Sequence, residues 1–354
     1  MMAAMEIAVT RTQQSRLPGV DLEHIAFGKV FTDHMLEADF LNGQWTNVRI
    51  RPYQPLQLAP SNAALHYGQS IFEGIKAYRH ANGTAVIFRP WDNFQRFNAS
   101  ARRMQMPEVP EFIFMEGMRQ LIALDKEWIP RSHDHSLYIR PFLFATDEVI
   151  GVKPSDNYKF MIILSPTGPY YAKPMRIYVE EHYVRAAPGG VGAAKAAGNY
   201  AAAMYVTAEA KKKGFDQVLW MDAIEHKYVQ ECGTMNVFFI IGNQAITPDL
   251  SEGTILAGVT RSSVLQLLAD MGYEVVERRL SIDEVVAAYQ NGTLKEVFGT
   301  GTAATISPIE VLAYRDMEMQ FDTTTWQAAP EVKRRLTAIR EGQEPDVYEW
   351  LYKV

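Results

Sequence analysis

Lys195 lies in the run Gly189-Gly190-Val191-Gly192-Ala193-Ala194-Lys195-Ala196-Ala197-Gly198-Asn199-Tyr200, where small residues flank one amine on both sides. Small side chains let the backbone approach a flat ligand closely. An amine held among apolar groups loses charge stabilisation and its pKa falls. The neutral amine is the form that attacks an aldehyde. The same pattern also describes a surface lysine ahead of an alanine-rich helix, and the stretch by itself leaves both readings open. The glycines lack the spacing of a dinucleotide-binding loop, and no acidic ribose ligand follows a clean strand–helix–strand unit.

Other residues could serve such an amine. Glu231 stands just before an apolar strand in Gln230-Glu231-Cys232-Gly233-Thr234-Met235-Asn236. A buried carboxylate there needs a cationic or hydrogen-bond-donating partner, whereas a turn glutamate in water needs none. Gly258-Val259-Thr260-Arg261 opens a helix with Thr260 as N-cap, and the positive end of that helix is suited to an anion. Gly299-Thr300-Gly301-Thr302-Ala303-Ala304 is a small-residue turn whose N–H and O–H groups could face an oxyanion; an ordinary glycine-rich loop has the same composition. Tyr138 and Arg140 fall on one side of an alternating strand, as a carboxylate receptor or as a solvated face. His133-Asp134-His135 reads as a solvated loop without further metal ligands nearby. The single cysteine, Cys232, has no histidine close in sequence and carries no nucleophile reading.

These residues need elements to hold them. In the first half, Asn42-Gly43 marks a hairpin turn, and Ala85 to Phe88, Leu137 to Phe144 and Phe160 to Leu164 are apolar strands. Glu111 to Trp128 fits one helix stopped by Pro130. In the second half, Asn199 to Lys213 is an alanine-rich helix ended by Gly214. Val218 to Met221 and Val237 to Ile241 read as paired strands, and Thr260 to Met271 and Ile282 to Gln290 as helices. The mixture indicates an α+β fold. The proline-rich stretch Ser165 to Pro174 separates two domains. The expected division is a small N-terminal α+β domain over 1–166, a linker over 167–175 and a larger domain over 176–354 that carries the lysine.

Bulk composition agrees. The 354 residues are 47% hydrophobic and 21% charged, with a mild net charge of −6. These are values of a soluble two-domain protein with no basic tract for nucleic acid. A lone thiol points to a reducing, cytoplasmic compartment. Met1 to Thr10 lacks the pattern of a secretory signal, and no apolar run is long enough to span a bilayer.

Taken in order, the motifs resemble the branched-chain amino acid aminotransferases, of pyridoxal-phosphate fold type IV (D-amino-acid aminotransferase-like), from about Phe31 to Val311. The segments that carry the likeness are Leu65-His66-Tyr67, Phe72-Glu73-Gly74-Ile75-Lys76-Ala77, Phe88-Arg89-Pro90-Trp91 followed by Arg96, Tyr138-Ile139-Arg140-Pro141, Lys195 with Asn199-Tyr200, Glu231 with Thr234-Met235-Asn236, and Gly299 to Ala303.

The resemblance implies pyridoxal 5′-phosphate bound covalently to Lys195, which also moves the substrate's Cα proton. It implies that Tyr200 reaches the cofactor's phenolic oxygen, that Glu231 keeps the pyridine nitrogen protonated, and that Arg96, Val259, Thr260 and Thr302 hold the phosphate. Ala303 would receive the α-carboxylate, with Thr234 also at the substrate. Tyr67, Phe72 and Val152 would wall an aliphatic pocket, Tyr67 and Val152 coming from a partner subunit of a homodimer. Tyr138 and Arg140 would admit the distal carboxylate of glutamate. The implied reaction exchanges an amino group between leucine, isoleucine or valine and 2-oxoglutarate, with the cofactor in the cleft between the domains. A D-amino-acid aminotransferase and an aminodeoxychorismate lyase are the rivals of the same fold, and a non-catalytic small-molecule binder is the rival of another class. Some members carry a Cys-x-x-Cys redox pair after the Gly-Thr-Ala turn. Ala304 and Ser307 occupy those positions here, so no thiol switch is expected.

Overall fold

The structure is a computed structural model that describes residues 6–169 and 173–354. Of the expected linker over 167–175, residues 170–172 lie outside the described residues. The chain divides into two compact units, one of residues 6–169, 194–197 and 338–354, the other of residues 173–193 and 198–337.

The first unit is built on a nine-stranded sheet. Its path runs Ala8–Val9, Gln44–Pro52, His34–Leu41, Tyr158–Thr167, Ser136–Ala145, Ile75–Arg79, Ala85–Phe88 and Leu351–Lys353, with Ser70–Phe72 also pairing onto Ser136–Ala145. The Asn42-Gly43 turn joins His34–Leu41 to Gln44–Pro52, and both residues have positive φ (51° and 76°), as a type I′ hairpin requires. Helix Pro90–Arg103 buries Phe94, Phe97 and Ala101 against the sheet. The rings of Phe97 and Phe114 both meet Phe160, at 5.6 and 5.8 Å between centroids.

The single helix expected over 111–128 is instead three pieces: a π-helical turn at Phe112–Glu116, an α-helix at Gly117–Leu124 and a 3-10 turn at Lys126–Trp128. The π turn re-aims the chain, and Gly117 then packs on Leu36 so closely that a Cβ would lie 2.4 Å from Leu36 Cδ1.

The second unit holds another nine-stranded sheet, with the path Val229–Cys232, Gln217–Met221, Met175–Val179, Thr305–Tyr314, Leu294–Gly301, Asn236–Ile241, Gln244–Thr247 and Glu274–Glu277; Met317–Gln320 pairs with Thr305–Tyr314. The expected pairing of Val218 to Met221 with Val237 to Ile241 is corrected here. Gln217–Met221 pairs with Met175–Val179 and Val229–Cys232, and three strands separate it from Asn236–Ile241. Both segments are buried on each face, so neither carries the alternation that would select a partner or register. Helix Ala197–Lys212 lays Ala203, Val206 and Ala210 on Val218, Trp220 and Val311. Gly214, at φ 85°, follows it. Among the described residues no helix is long and apolar enough to cross a membrane.

The division differs from the expected boundaries at two places. Leu351–Lys353 pairs antiparallel with Ala85–Phe88, and Ala196 bridges Ile71, so both segments belong to the first unit. Backbone pairing across such sequence distances leaves no local pattern in the residues themselves.

Candidate active site

In the first unit, Lys195 sits between two fully packed alanines, Ala194 and Ala196, 4% and 1% exposed. Its backbone is held at both ends: the N–H donates to Ser100 Oγ (2.9 Å) and the carbonyl accepts from Phe72 N–H (3.1 Å). The amine is thereby presented over Phe72, with Nζ 4.9 Å from the ring centroid. The small residues around it allow this close strand-like pairing.

Arg140 uses the same ring. Its guanidinium carbon lies 4.6 Å from the Phe72 centroid, and Nη2 donates to Tyr138 Oη at 3.0 Å. Arg140 Nε is buried without a hydrogen-bond partner. A buried unsatisfied cationic donor is costly, and an incoming carboxylate would satisfy it. Tyr138 and Arg140 therefore do share a side, and Tyr138 packs against Gly74, where a Cβ would fall 2.2 Å from its hydroxyl.

Glu73, between Phe72 and Gly74, was given no task by the sequence. It is fully buried. It accepts from Arg96 Nε (2.7 Å) and Nη2 (2.8 Å), from Asn93 Nδ2 (2.8 Å) and from Gly74 N–H (3.1 Å). Burial pushes its carboxyl up, but the charges of Arg96 and Lys195 and the bonds from Arg96 and Asn93 outweigh it and hold the pKa below the usual value. Asn93 and Arg96 are three apart on helix Pro90–Arg103 and so face one way; that spacing was the available signal for Glu73's partners.

In the second unit, Glu231 is a buried strand residue and not a turn glutamate in water. Its Oε2 lies 2.8 Å from Arg185 Nε, with both side chains under a tenth exposed. Its Oε1 accepts from Leu256 N–H (3.0 Å) and Asn236 Nδ2 (3.2 Å). Arg185 also donates through Nη2 to the carbonyls of Gly192 (3.1 Å) and Thr254. Arg185 was missed because nothing local marks it; it stands ten residues before Lys195 in a polar stretch. Gly192 is required where it is, since a Cβ would sit 2.4 Å from Thr254 O and 2.5 Å from Ala186 Cβ. Gly192→Ala is expected to lose about 1–3 kcal/mol of stability by overpacking; a thermal melt that matches the unaltered protein would contradict that fit.

The helix Val259–Asp270 starts from Gly258, which is its N-cap and offers no side-chain acceptor. The expected cap, Thr260, lies inside the first turn and is 3% exposed. Gly258 is pressed on Asn236, with a Cβ position 2.0 Å from Oδ1, so a capping Ser or Asp has no room. Thr302 and Ala303 form a half-buried turn between strands Leu294–Gly301 and Thr305–Tyr314. Beside it, Thr300 Oγ1 and Ser307 Oγ are buried without partners.

The remaining predicted residues are more open. Tyr200 is half-buried and Thr234 exposed. Tyr67 ends the helix Ala63–Tyr67 at 39% exposure, and Val152 is 90% exposed. Cys232 is buried, and burial pushes its thiol up to about 12, which keeps it protonated and unreactive. Among the described residues no group of three or more His, Cys, Asp or Glu side chains could hold a metal ion; His133 instead contacts Glu341, with Nδ1 2.9 Å from Oε2.

The chain belongs to the amino-transferase class IV family, whose model matches residues 70–312. Within the class it is similar to branched-chain enzymes. It is 48% identical over 340 residues to a probable branched-chain-amino-acid aminotransferase of Staphylococcus epidermidis, covering 94% of each chain. It is 47% identical over 340 residues to branched-chain-amino-acid transaminase 1 of Bacillus subtilis, covering 94% of this chain and 95% of that one. Among solved structures it resembles the Escherichia coli branched-chain amino acid aminotransferase, with a TM-score of 0.71 and 28% identity over 89% of this chain and 98% of that one. It also resembles the T.th. branched-chain amino acid aminotransferase with pyridoxamine 5′-phosphate, with a TM-score of 0.72 and 27% identity over 89% and 97%. The fold is thus the two-domain α+β fold of these aminotransferases, and the protein is an aminotransferase.

Proposed function

We propose that the chain catalyses reversible transamination between leucine, isoleucine or valine and 2-oxoglutarate, with pyridoxal phosphate carried on Lys195. The observation that carries this reading is the Phe72 ring shared by the Lys195 amine and by Arg140, whose Nε is buried and unsatisfied. An apolar wall and a carboxylate receptor stand together beside the amine. A pocket that must accept both an aliphatic side chain and the distal carboxylate of glutamate needs both.

The residues present fit the cofactor. Glu231 offers an anion to a cationic ring nitrogen. The uncapped start of helix Val259–Asp270, with Val259 and Thr260, suits a phosphate, as do Arg96 and Thr302. Tyr200 is assigned to the phenolic oxygen, and the Ala303 N–H and Thr234 to the substrate's α-carboxylate side. When bound, pyridoxal phosphate supplies the electron-withdrawing ring that takes up the electron pair left at Cα. Lys195 Nζ holds the cofactor and then moves the proton at the substrate's Cα. Tyr67, Phe72 and Val152 shape the side-chain pocket. The exposure of Tyr67 and Val152 supports a homodimer in which they face the partner's substrate. The one cysteine, buried and protonated, suits a reducing cytoplasm.

Turnover of the three branched-chain amino acids with 2-oxoglutarate tests the proposal; activity confined to D-alanine or aminodeoxychorismate would overturn it. Arg140→Ala is expected to raise KM for 2-oxoglutarate about 10- to 150-fold, the worth of a hydrogen bond to a charged group, and to change KM for leucine little. Equal changes for both substrates would remove Arg140 from carboxylate recognition.

A further inference from the structure

We propose that the first unit carries a second binding site, for a small molecule bearing a carboxylate, in a pocket formed by the turn at 80–83, the loop at 130–135 and the turn at 341–343. The pocket has a volume of about 340 Å³, within the range of small-ligand sites, and all of its lining residues belong to that one unit. It is not the site described above. It lies past the far end of strand Ile75–Arg79 from Phe72, Glu73 and Gly74, and roughly 20 Å of extended chain separates Gly74 from His80. The proposal stands independently of the cofactor reading.

Three chain reversals shape the pocket. Gly83, at φ 85°, closes the turn from Ile75–Arg79 to Ala85–Phe88. Its N–H donates to the His80 carbonyl (2.8 Å), and the His80 N–H donates to the Thr84 carbonyl (2.9 Å). Gly342, at φ 74°, follows helix Ala328–Arg340. The His80 ring lies against it, since a Cβ at Gly342 would fall 2.6–2.8 Å from Nδ1, Cε1 and Cγ. In the third segment, after Pro130, the His135 N–H closes on the Ser132 carbonyl at 3.2 Å.

The carboxylates around this pocket are engaged, whereas two donors are not. Glu127 receives Arg79 Nη1 and Nη2 at 2.8 and 2.9 Å. Glu341 receives Asp134 N–H and Gln343 Nε2, both at 2.9 Å, and meets His133 Nδ1 at 2.9 Å. The Arg131 guanidinium, by contrast, is mostly exposed and meets Glu127 only at 3.6 Å. His80 Nε2 is buried without a hydrogen-bond partner among the described residues. A buried orphan of this kind calls for a partner, and in its N–H tautomer it donates. Both residues line the pocket. One carboxylate that accepts from Arg131 and from His80 Nε2 satisfies the two. Glu127 and Glu341 balance Arg79 and Arg131, which leaves no excess of positive charge for a phosphate dianion.

The test follows binding of 4,4,4-trifluorobutanoate by fluorine NMR on the full chain saturated with pyridoxal phosphate, with a thermal melt for each variant. Binding elsewhere, the active site included, is what remains in the double variant His80→Phe/Arg131→Ala, and it is subtracted. Arg131→Ala should weaken the remaining component about fivefold, the worth of a partly exposed ion pair. His80→Phe keeps a ring against Gly342 but removes its nitrogens, and should weaken it about five- to tenfold. The proposal is overturned if the double variant binds the probe as the unaltered chain does, or if either single variant leaves the affinity unchanged. Butanoate and 2-aminobutanoate then compete with the probe. Displacement by either supports the proposal, the tighter one naming a plain acid or an amino acid as the ligand. Inorganic phosphate that competes better than both would overturn the carboxylate assignment. If His80→Phe does not fold, Arg131→Ala, at a mostly exposed side chain, decides alone.

Discussion

Lys195→Ala is expected to abolish transamination, with a loss beyond about 10⁴-fold, because in the proposed mechanism one amine both carries the cofactor and moves the Cα proton. The fold should survive the change. The structural work of residue 195 is done by its backbone, whose N–H bonds Ser100 and whose carbonyl bonds Phe72, and alanine keeps both. Two packed alanines already flank the position. The loss would therefore be one of chemistry, visible as a normal circular dichroism spectrum with no turnover. Borohydride reduction followed by peptide mapping should place the cofactor on Lys195 in the unaltered protein and on no residue in the variant. Labelling of another lysine, or near-normal rates in the variant, would refute the assignment.

The second large effect is expected at Glu231. Glu231→Ala removes the anion assigned to the ring nitrogen, and a preorganised electrostatic contact of this kind is worth about 10²–10³ in rate. It also strands Arg185 in a buried site, a cost of about 3–5 kcal/mol. Glu231→Gln keeps the side-chain volume and an acceptor for Asn236 Nδ2 and Leu256 N–H, but it too leaves Arg185 without its counter-charge, so it separates the lost charge from the lost packing. Rates should fall in both variants, and the melting temperature should fall further for alanine. A glutamine variant with normal turnover would mean that the charge at this position is not used.

Residues acting through local spacing were legible in the sequence. The hairpin at Asn42-Gly43 needs two positive φ values, and its residue types say so. Tyr138 and Arg140 share a face because strand periodicity is two. The strands at 218–221 and 237–241 were recognised, yet their neighbours were not, because runs buried on both faces carry no alternation. Arg185 and Glu73 were silent for another reason. Each acts through a partner distant in sequence, Glu231 for one and Arg96 for the other, and an isolated charged residue reads as solvated until its partner is placed. The Thr260 cap failed on sterics: Gly258 takes the position because Asn236 leaves no space for a side chain.

The first sheet closes on Leu351–Lys353 and takes in the Lys195 segment from mid-chain. Its outer strand, Ala85–Phe88, thus waits for more than 250 later residues to leave the ribosome before its edge is paired. During synthesis that edge is open to other chains, and clipping near residue 345 would leave it without its partner strand.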